Sequence, residues 1–222
     1  MTTSKRSISA RIPKAWYVSD CSDCTRLVRH LRQTHQEYPY YHCAPVPPFG
    51  DLKAKLLVVG LAPGKHGANA SGRPFTGDHA GILLYQTLYR YGFADAAESV
   101  SVTDGLRLLN CRLTNAVKCL PPENKPIGAE VRSCNHYLAA ELKAVAAGGV
   151  VLALGTVAHR AIVRALELRL ADYPFAHGEI HALPGKRHLV DSYHCSRYNT
   201  QTGRLTTQMF QAVFATAKKL LG

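Results

Sequence analysis

Apolar residues in this chain fall into short runs separated by amphipathic stretches. Leu56–Gly60 (LLVVG), residues 111–117, Val150–Leu154 (VVLAL) and residues 188–192 have the length and composition of buried strands. Residues 80–91, 130–146, 156–168 and 208–221 instead repeat their apolar positions at helical spacing. Strands alternating with helices predict an α/β fold, with four strands in a largely parallel sheet covered on both faces. Ahead of this pattern, residues 1–50 read as an irregular leader rich in Pro and Tyr, with one helix over 24–36. Its last part, EYPYYHCAPVPPFG, carries four prolines and should wrap over the core rather than form regular structure. With no internal repeat and no low-complexity linker, one domain over 1–222 is expected: the leader at 1–50 and the α/β core at 51–222.

Ligands of open parallel sheets collect beyond the carboxyl ends of the strands. That rule selects the loop after Gly60, the stretch around Asn115, the turn at Gly155 and the segment from His194. Composition narrows the ligand class. Lys and Arg outnumber Asp and Glu by 27 to 15, a net +12, which suits a polyanion such as nucleic acid. The first twenty residues lack the apolar stretch of a secretory signal, and no apolar run is long enough to span a bilayer. Seven cysteines without an export signal argue for a reducing compartment, so a cytoplasmic protein is expected, with thiols free or bound to metal.

Four segments carry candidate chemistry. GLAPGKHGANASGRPFTGD, running from Gly60 to Asp78, is a glycine-rich loop whose backbone can approach a ligand closely. It is neither a P-loop nor a dinucleotide fingerprint, because its spacing is wrong and His66 stands where a magnesium-binding hydroxyl would be. TNAVKCLPP places Asn115 at a strand end, where one amide could read a pyrimidine carbonyl and ring N–H together or simply stabilise a turn. HCSRYNTQTGRLT sets His194 beside Arg197, Arg204 and a run of hydroxyl and amide side chains. Cys21 and Cys24 form a C-x-x-C in the leader, while Cys119 and Cys134 lie in the core. Four thiolates can bind an iron–sulfur cluster or a structural zinc, and the spacing alone does not decide between metal binding and free thiols.

Together GLAPG, GRPFTGD, TNAVKCLPP, ALGTVAH and HCSRYNTQTGRLT resemble, in order, the iron–sulfur uracil-DNA glycosylases, and most closely their broad-specificity b (fifth) class. The resemblance runs from Cys21 to the C-terminus and implies a three-layer α/β/α sandwich around a four-stranded sheet. It implies an enzyme that flips uracil, and related deaminated or damaged bases such as hypoxanthine, out of DNA and hydrolyses the N-glycosidic bond. Gly60, Ala62, Gly64, Phe75 and Asn115 would then receive the base, with Phe75 stacking on it and Asn115 reading its edge. His194 would stabilise the charge growing on the leaving base. The segment from Arg197 through Tyr198 and Asn199 to Arg204 would enter the minor groove. Cys21, Cys24, Cys119 and Cys134 match the family's [4Fe–4S] ligands. The chain departs from the uracil-only classes by having Leu61 and Ala62 where those carry a polar water-activating residue. Asp78 is the b class's substitute, yet it also precedes a predicted helix, where Asp is a preferred N-cap. The expected partner is lesion-bearing DNA, with no membrane and a monomeric enzyme. An iron–sulfur electron carrier and a non-catalytic DNA-binding module are the rival readings.

Overall fold

A computed structural model describes residues 12–222; the first eleven residues of the leader, where a secretory signal was sought, lie outside the described residues. The elements in chain order are α1 (Thr25–Glu37), β1 (Phe49–Gly50), β2 (Leu56–Gly60), α2 (Ala68–Ser71), α3 (His79–Arg90), β3 (Cys111–Asn115), α4 (Gly128–Lys143), β4 (Val150–Leu154), α5 (Thr156–Ala165), β5 (Ile180–Leu183), β6 (Arg187–Ser192), α6 (Arg197–Gln201) and α7 (Thr207–Leu221).

The sheet has six strands in the order β1-β3-β2-β4-β6-β5, not the four expected. The four expected strands are its parallel centre, and the two additional ones are antiparallel edges. Each central strand buries both faces, and successive residues serve opposite cores. Leu56, Val58, Val150, Leu152 and Val190 pack with α3 and α7 through Leu84, Leu88, Phe210 and Phe214. Leu57, Val59, Val151, Ala153 and Leu189 pack on the other side with α1, α4 and α5 through Leu27, Leu138 and Ile162. Burying each such side chain contributes about 1.5–3 kcal/mol, so a one-residue register slip in β2 or β4 would misplace an entire row.

The described part of the leader packs into this core. Trp16 is buried with the Arg112 guanidinium 4.2 Å from its ring, Leu27 and Leu31 of α1 are buried, and Phe49–Gly50 pairs with β3. Beneath β3, the fully buried Arg112 lies 3.4 Å from Glu141, which also pairs with Lys118 at 2.6 Å and accepts from Thr114 Oγ1 at 2.8 Å. This polar knot fixes the strand that ends in Asn115.

Chain order places the topological switch at β2: the chain leaves it for β3 on one side, and β4 then pairs on the other. A crevice beyond the carboxyl ends of β2 and its neighbours is therefore the place where a ligand should bind.

Candidate active site

A cavity of about 440 Å³ opens at that switch point, lined by Leu61, Ala62, Gly64, Phe75, Asp78, His79, Ala80, Asn115, Asn124, His194, Ser196 and Arg197. It brings together residues from three of the four loops selected by strand position.

Gly60 and Asn115 end β2 and β3 as register partners. A Cβ at Gly60 would collide with Asn115 Oδ1 and come within 2.5 Å of Phe75 Cζ, so only glycine lets the amide and the ring meet here. Phe75 sits at φ 61, a left-handed backbone that non-glycine residues rarely adopt. Gly81 makes the bend possible, since a Cβ there would strike the Phe75 carbonyl. Asn115 is only 4% exposed, and its side-chain polar atoms are not orphaned in the protein interior, because they border the cavity.

Asp78 occupies the N-cap position of α3, but its side chain makes no capping bond there. The carboxylate turns instead toward α2, where Oδ2 accepts from Ala68 N–H at 3.1 Å. A Cβ on Gly64 or Gly67 would overlap its other oxygen, so both glycines leave room for the acid rather than for a phosphate. Burial pushes the Asp78 carboxyl above its ordinary value, and the Ala68 N–H offsets part of that rise.

His194 follows β6 and lines the cavity. The surrounding protein pushes its pKa down to about 4, so the ring is neutral at physiological pH and can offer an N–H without carrying charge. Gly155, at φ +92, lets the turn after β4 pass close to it, with a hypothetical Cβ 3.3 Å from His194 Cβ. The segment beyond His194 is braced rather than loose, and residues 197–201 are helical where a loop was expected. Ser196 caps α6 by accepting from Asn199 N–H, and the Asn199 amide donates to the His194 carbonyl at 2.8 Å. Arg197 and Tyr198 project from α6, Tyr198 at 70% exposure, while the Arg204 guanidinium lies 4.7 Å from the Tyr193 ring centroid. Thus Arg197 and Tyr198 are free to meet a partner, whereas the Asn199 side chain is committed to holding the loop.

Sequence reasoning left four lining residues unassigned, Ala80 and Ser196 beside the more informative His79 and Asn124. His79 lies beside Asp78 and bonds Thr200 Oγ1 at 3.2 Å, linking α3 to α6. Asn124 enters the cavity from the turn after β3, where Glu123 and Asn124 both have positive φ. The run of two prolines and an Asn was the available signal for that turn.

The four cysteines singled out in the sequence line a second, apolar cavity together with Val18, Leu27, Pro45 and Val117. Cys24 stands at the start of α1, Cys134 lies on α4, and Cys119 follows β3; the Arg26–Glu130 pair at 2.7 Å ties α1 to α4 nearby. Burial raises Cys24 and Cys119 and pushes Cys134 up to about 11, with the other thiols adding to the rise at each. Lys118 N–H points to Cys134 Sγ at 3.4 Å. Four thiols gathered in one apolar pocket fit a cationic metal centre that would hold them as thiolates. Cys43, Cys111 and Cys195 lie apart from this cavity.

Among the described residues no helix is long and apolar enough to cross a membrane. The sequence signature described as "Uracil DNA glycosylase superfamily" matches residues 47–218. The chain is 45% identical to the type-5 uracil-DNA glycosylase of Thermus thermophilus over 208 residues, covering 91% of this chain and 94% of that protein. It is 40% identical to the type-5 enzyme of Pyrobaculum aerophilum, covering 92% and 93% of the two chains. A type-5 enzyme of Mycobacterium bovis is 39% identical over 92% of this chain and 80% of its own. The cavity at the switch point, lined by Phe75, Asp78, Asn115 and His194, and similarity over nearly the whole described chain lead to one conclusion: this protein belongs to the uracil-DNA glycosylase superfamily.

Proposed function

We propose that this chain removes uracil from DNA by hydrolysing the bond between base and sugar, leaving an abasic site. The observation that carries the reading is the meeting of Gly60, Phe75 and Asn115 at the carboxyl ends of β2 and β3, with Asp78 and His194 lining the same cavity. A base cannot reach this depth inside a duplex, so the nucleotide must flip out. Phe75 stacks on the flipped ring, while the Asn115 amide donates to a carbonyl of uracil and accepts from its ring N–H. Ala62 and Gly64 line the entrance without bulky side chains. Hypoxanthine offers a similar carbonyl beside a ring N–H and is the next substrate to test.

As the glycosidic bond breaks, its electrons go to the base and positive charge develops on the sugar. The neutral His194 ring donates toward the departing base, and the Asp78 carboxylate faces the sugar and orients the water that adds at C1′. The water's proton leaves to the base or to solvent, so the products are free base and an abasic sugar. Arg197, Tyr198 and Arg204 meet the DNA backbone and the gap left by the flipped nucleotide, with Asn199 holding their loop. The net +12 supplies the sequence-independent part of the affinity. Cys21, Cys24, Cys119 and Cys134 hold a [4Fe–4S] cluster, whose contribution when bound is to tie α1 and the leader to α4 and the core. One chain supplies every group named, so a monomeric, single-domain enzyme acting on chromosomal DNA in the cytoplasm suffices.

An electron carrier would have no use for the Asn115 and Asp78 cavity, and a mere DNA-binding module would have no use for its depth. The test is incubation with duplexes carrying single uracil or hypoxanthine residues, followed by alkaline cleavage of abasic sites. Cleavage at uracil is expected. Tight duplex binding with no cleavage would favour the binding module.

A further inference from the structure

On the α5 face of the sheet, outside the cleft, three metal-ligating side chains from three elements meet. Asp191 comes from β6, His159 from α5 and His181 from β5, and one donor atom of each lies within 4.8 Å of the others. All three residues are buried. His159 Nδ1 is 2.8 Å from Asp191 Oδ1, and its Nε2 is 2.9 Å from the Tyr173 carbonyl oxygen. His181 Nε2 stands 3.4 Å from Asp191 Oδ2, and neither atom has a hydrogen-bond partner among the described residues. Unpaired buried polar atoms are costly, and these two lie 3.4 Å apart beside the His159 ring.

One dication would give both unpaired atoms a partner. Asp191 would bind it as a carboxylate, and His181 Nε2 and His159 Nδ1 as neutral nitrogens. His159 Nε2–H would then donate to the Tyr173 carbonyl, the kind of outer bond that fixes the tautomer of a metal-bound histidine. We propose that His159, His181 and Asp191 form a binding site for a zinc-class divalent cation, separate from the four cysteines. Two imidazoles and one carboxylate are donors that suit zinc, with water as the fourth. The site joins the edge strand β5 and helix α5 to β6, three residues before His194, so its occupant would stiffen the strand that presents the catalytic histidine.

The test uses the intact protein with its native iron. Protein treated with EDTA is given excess zinc sulfate, desalted, and assayed for zinc, iron and Tm. About one zinc per chain is expected, with iron unchanged and Tm raised. His181→Gln should retain roughly tenfold less zinc or lower, keep its iron, and show no zinc-dependent change in Tm. A wild-type chain that retains no zinc, or a His181→Gln chain that retains as much as wild type, overturns the proposal. A second measurement on the wild type alone guards against a variant that does not fold. Cobalt(II) bound here should show visible bands without thiolate-to-cobalt charge transfer. A strong thiolate band accounting for all the bound cobalt would assign it to the cysteines and overturn the proposal. Because these readouts are metal content and spectra, they stand apart from uracil excision.

Discussion

Asp78→Asn separates the charge of the buried acid from its shape. In the native chain Oδ2 accepts from Ala68 N–H at 3.1 Å, and the other oxygen lies against Gly64 and Gly67. An asparagine oxygen can keep the Ala68 bond, and its NH₂ group can occupy the space beside the glycines. Only the negative charge is lost. Burial holds this carboxyl above its ordinary value, so folding favours its protonated form. Its contribution to stability is therefore fully present at pH below the unfolded value and is lost as pH rises through the folded one. At neutral pH the Asn variant should melt at the same temperature as wild type or higher, and the gain should vanish in acid. Excision should move the other way. A fixed charge opposing the sugar cation is worth about 2.7–4 kcal/mol, so single-turnover release of uracil should fall roughly 10²- to 10³-fold. Asp78→Ala removes the acceptor as well and leaves the buried Ala68 N–H unpaired, at about 1–3 kcal/mol, or about 2–4 °C in Tm for each kcal/mol. Rapid-quench excision on a uracil duplex, read beside thermal melts at several pH values, separates the two roles. If Asp78→Asn releases uracil at the wild-type rate while Asp78→Ala only melts earlier, the acid merely holds α2 and has no part in chemistry.

Asn115→Asp removes the donor to the uracil carbonyl and sets a negative charge against an anionic leaving base. About 1–3 kcal/mol, roughly 5- to 160-fold in excision, should be lost while abasic DNA still binds; unchanged release by a folded variant would remove Asn115 from the site. With His194 pushed down to about 4, its stability contribution is present above the unfolded value near 6.5 and is lost as pH falls toward the folded one. The excision rate should accordingly show no inflection from this ring near pH 6.5, and a rate that climbs as pH falls through that value would place an imidazolium there instead. Cys119→Ser should bleach a brown protein carrying about four irons per chain, whereas Cys43→Ser should keep the colour. A colourless wild-type protein whose cysteines hold zinc would contradict the cluster.

The parallel centre of the sheet was legible because β2 and β4 are apolar runs buried on both faces, while β3 and β6, despite the buried Arg112, Thr114 and Asp191, are strand-length segments set between helical patterns. The antiparallel edges were hidden for opposite reasons. β1 is two residues long and sits in a proline-rich segment, so its pairing with β3 depends on tertiary position alone. β5 does alternate, with His181 and Leu183 inward, but an inward histidine breaks the apolar half of that pattern. α5 stops short of its predicted end because Glu167 turns to positive φ. Gly60, Asn115 and His194 were singled out by strand ends and Phe75 by the family resemblance, and the structure brings the four together. The direction of the Asp78 side chain was not legible, since an Asp before a helix usually caps that helix and here the glycines of the preceding loop offer a roomier partner in α2. His79 was invisible because its value lies in Thr200, a contact across 121 positions of sequence.

The most direct test of the account is direct detection of the released base. Purified protein in excess over a duplex with one uracil should, in a single turnover, release free uracil and leave one abasic strand per duplex, both quantified by mass spectrometry. Asn115→Asp and Asp78→Asn, bound to the same duplex, should release it far more slowly. Saturating binding of the wild-type protein with no free uracil, or equal release by all three proteins, would contradict it.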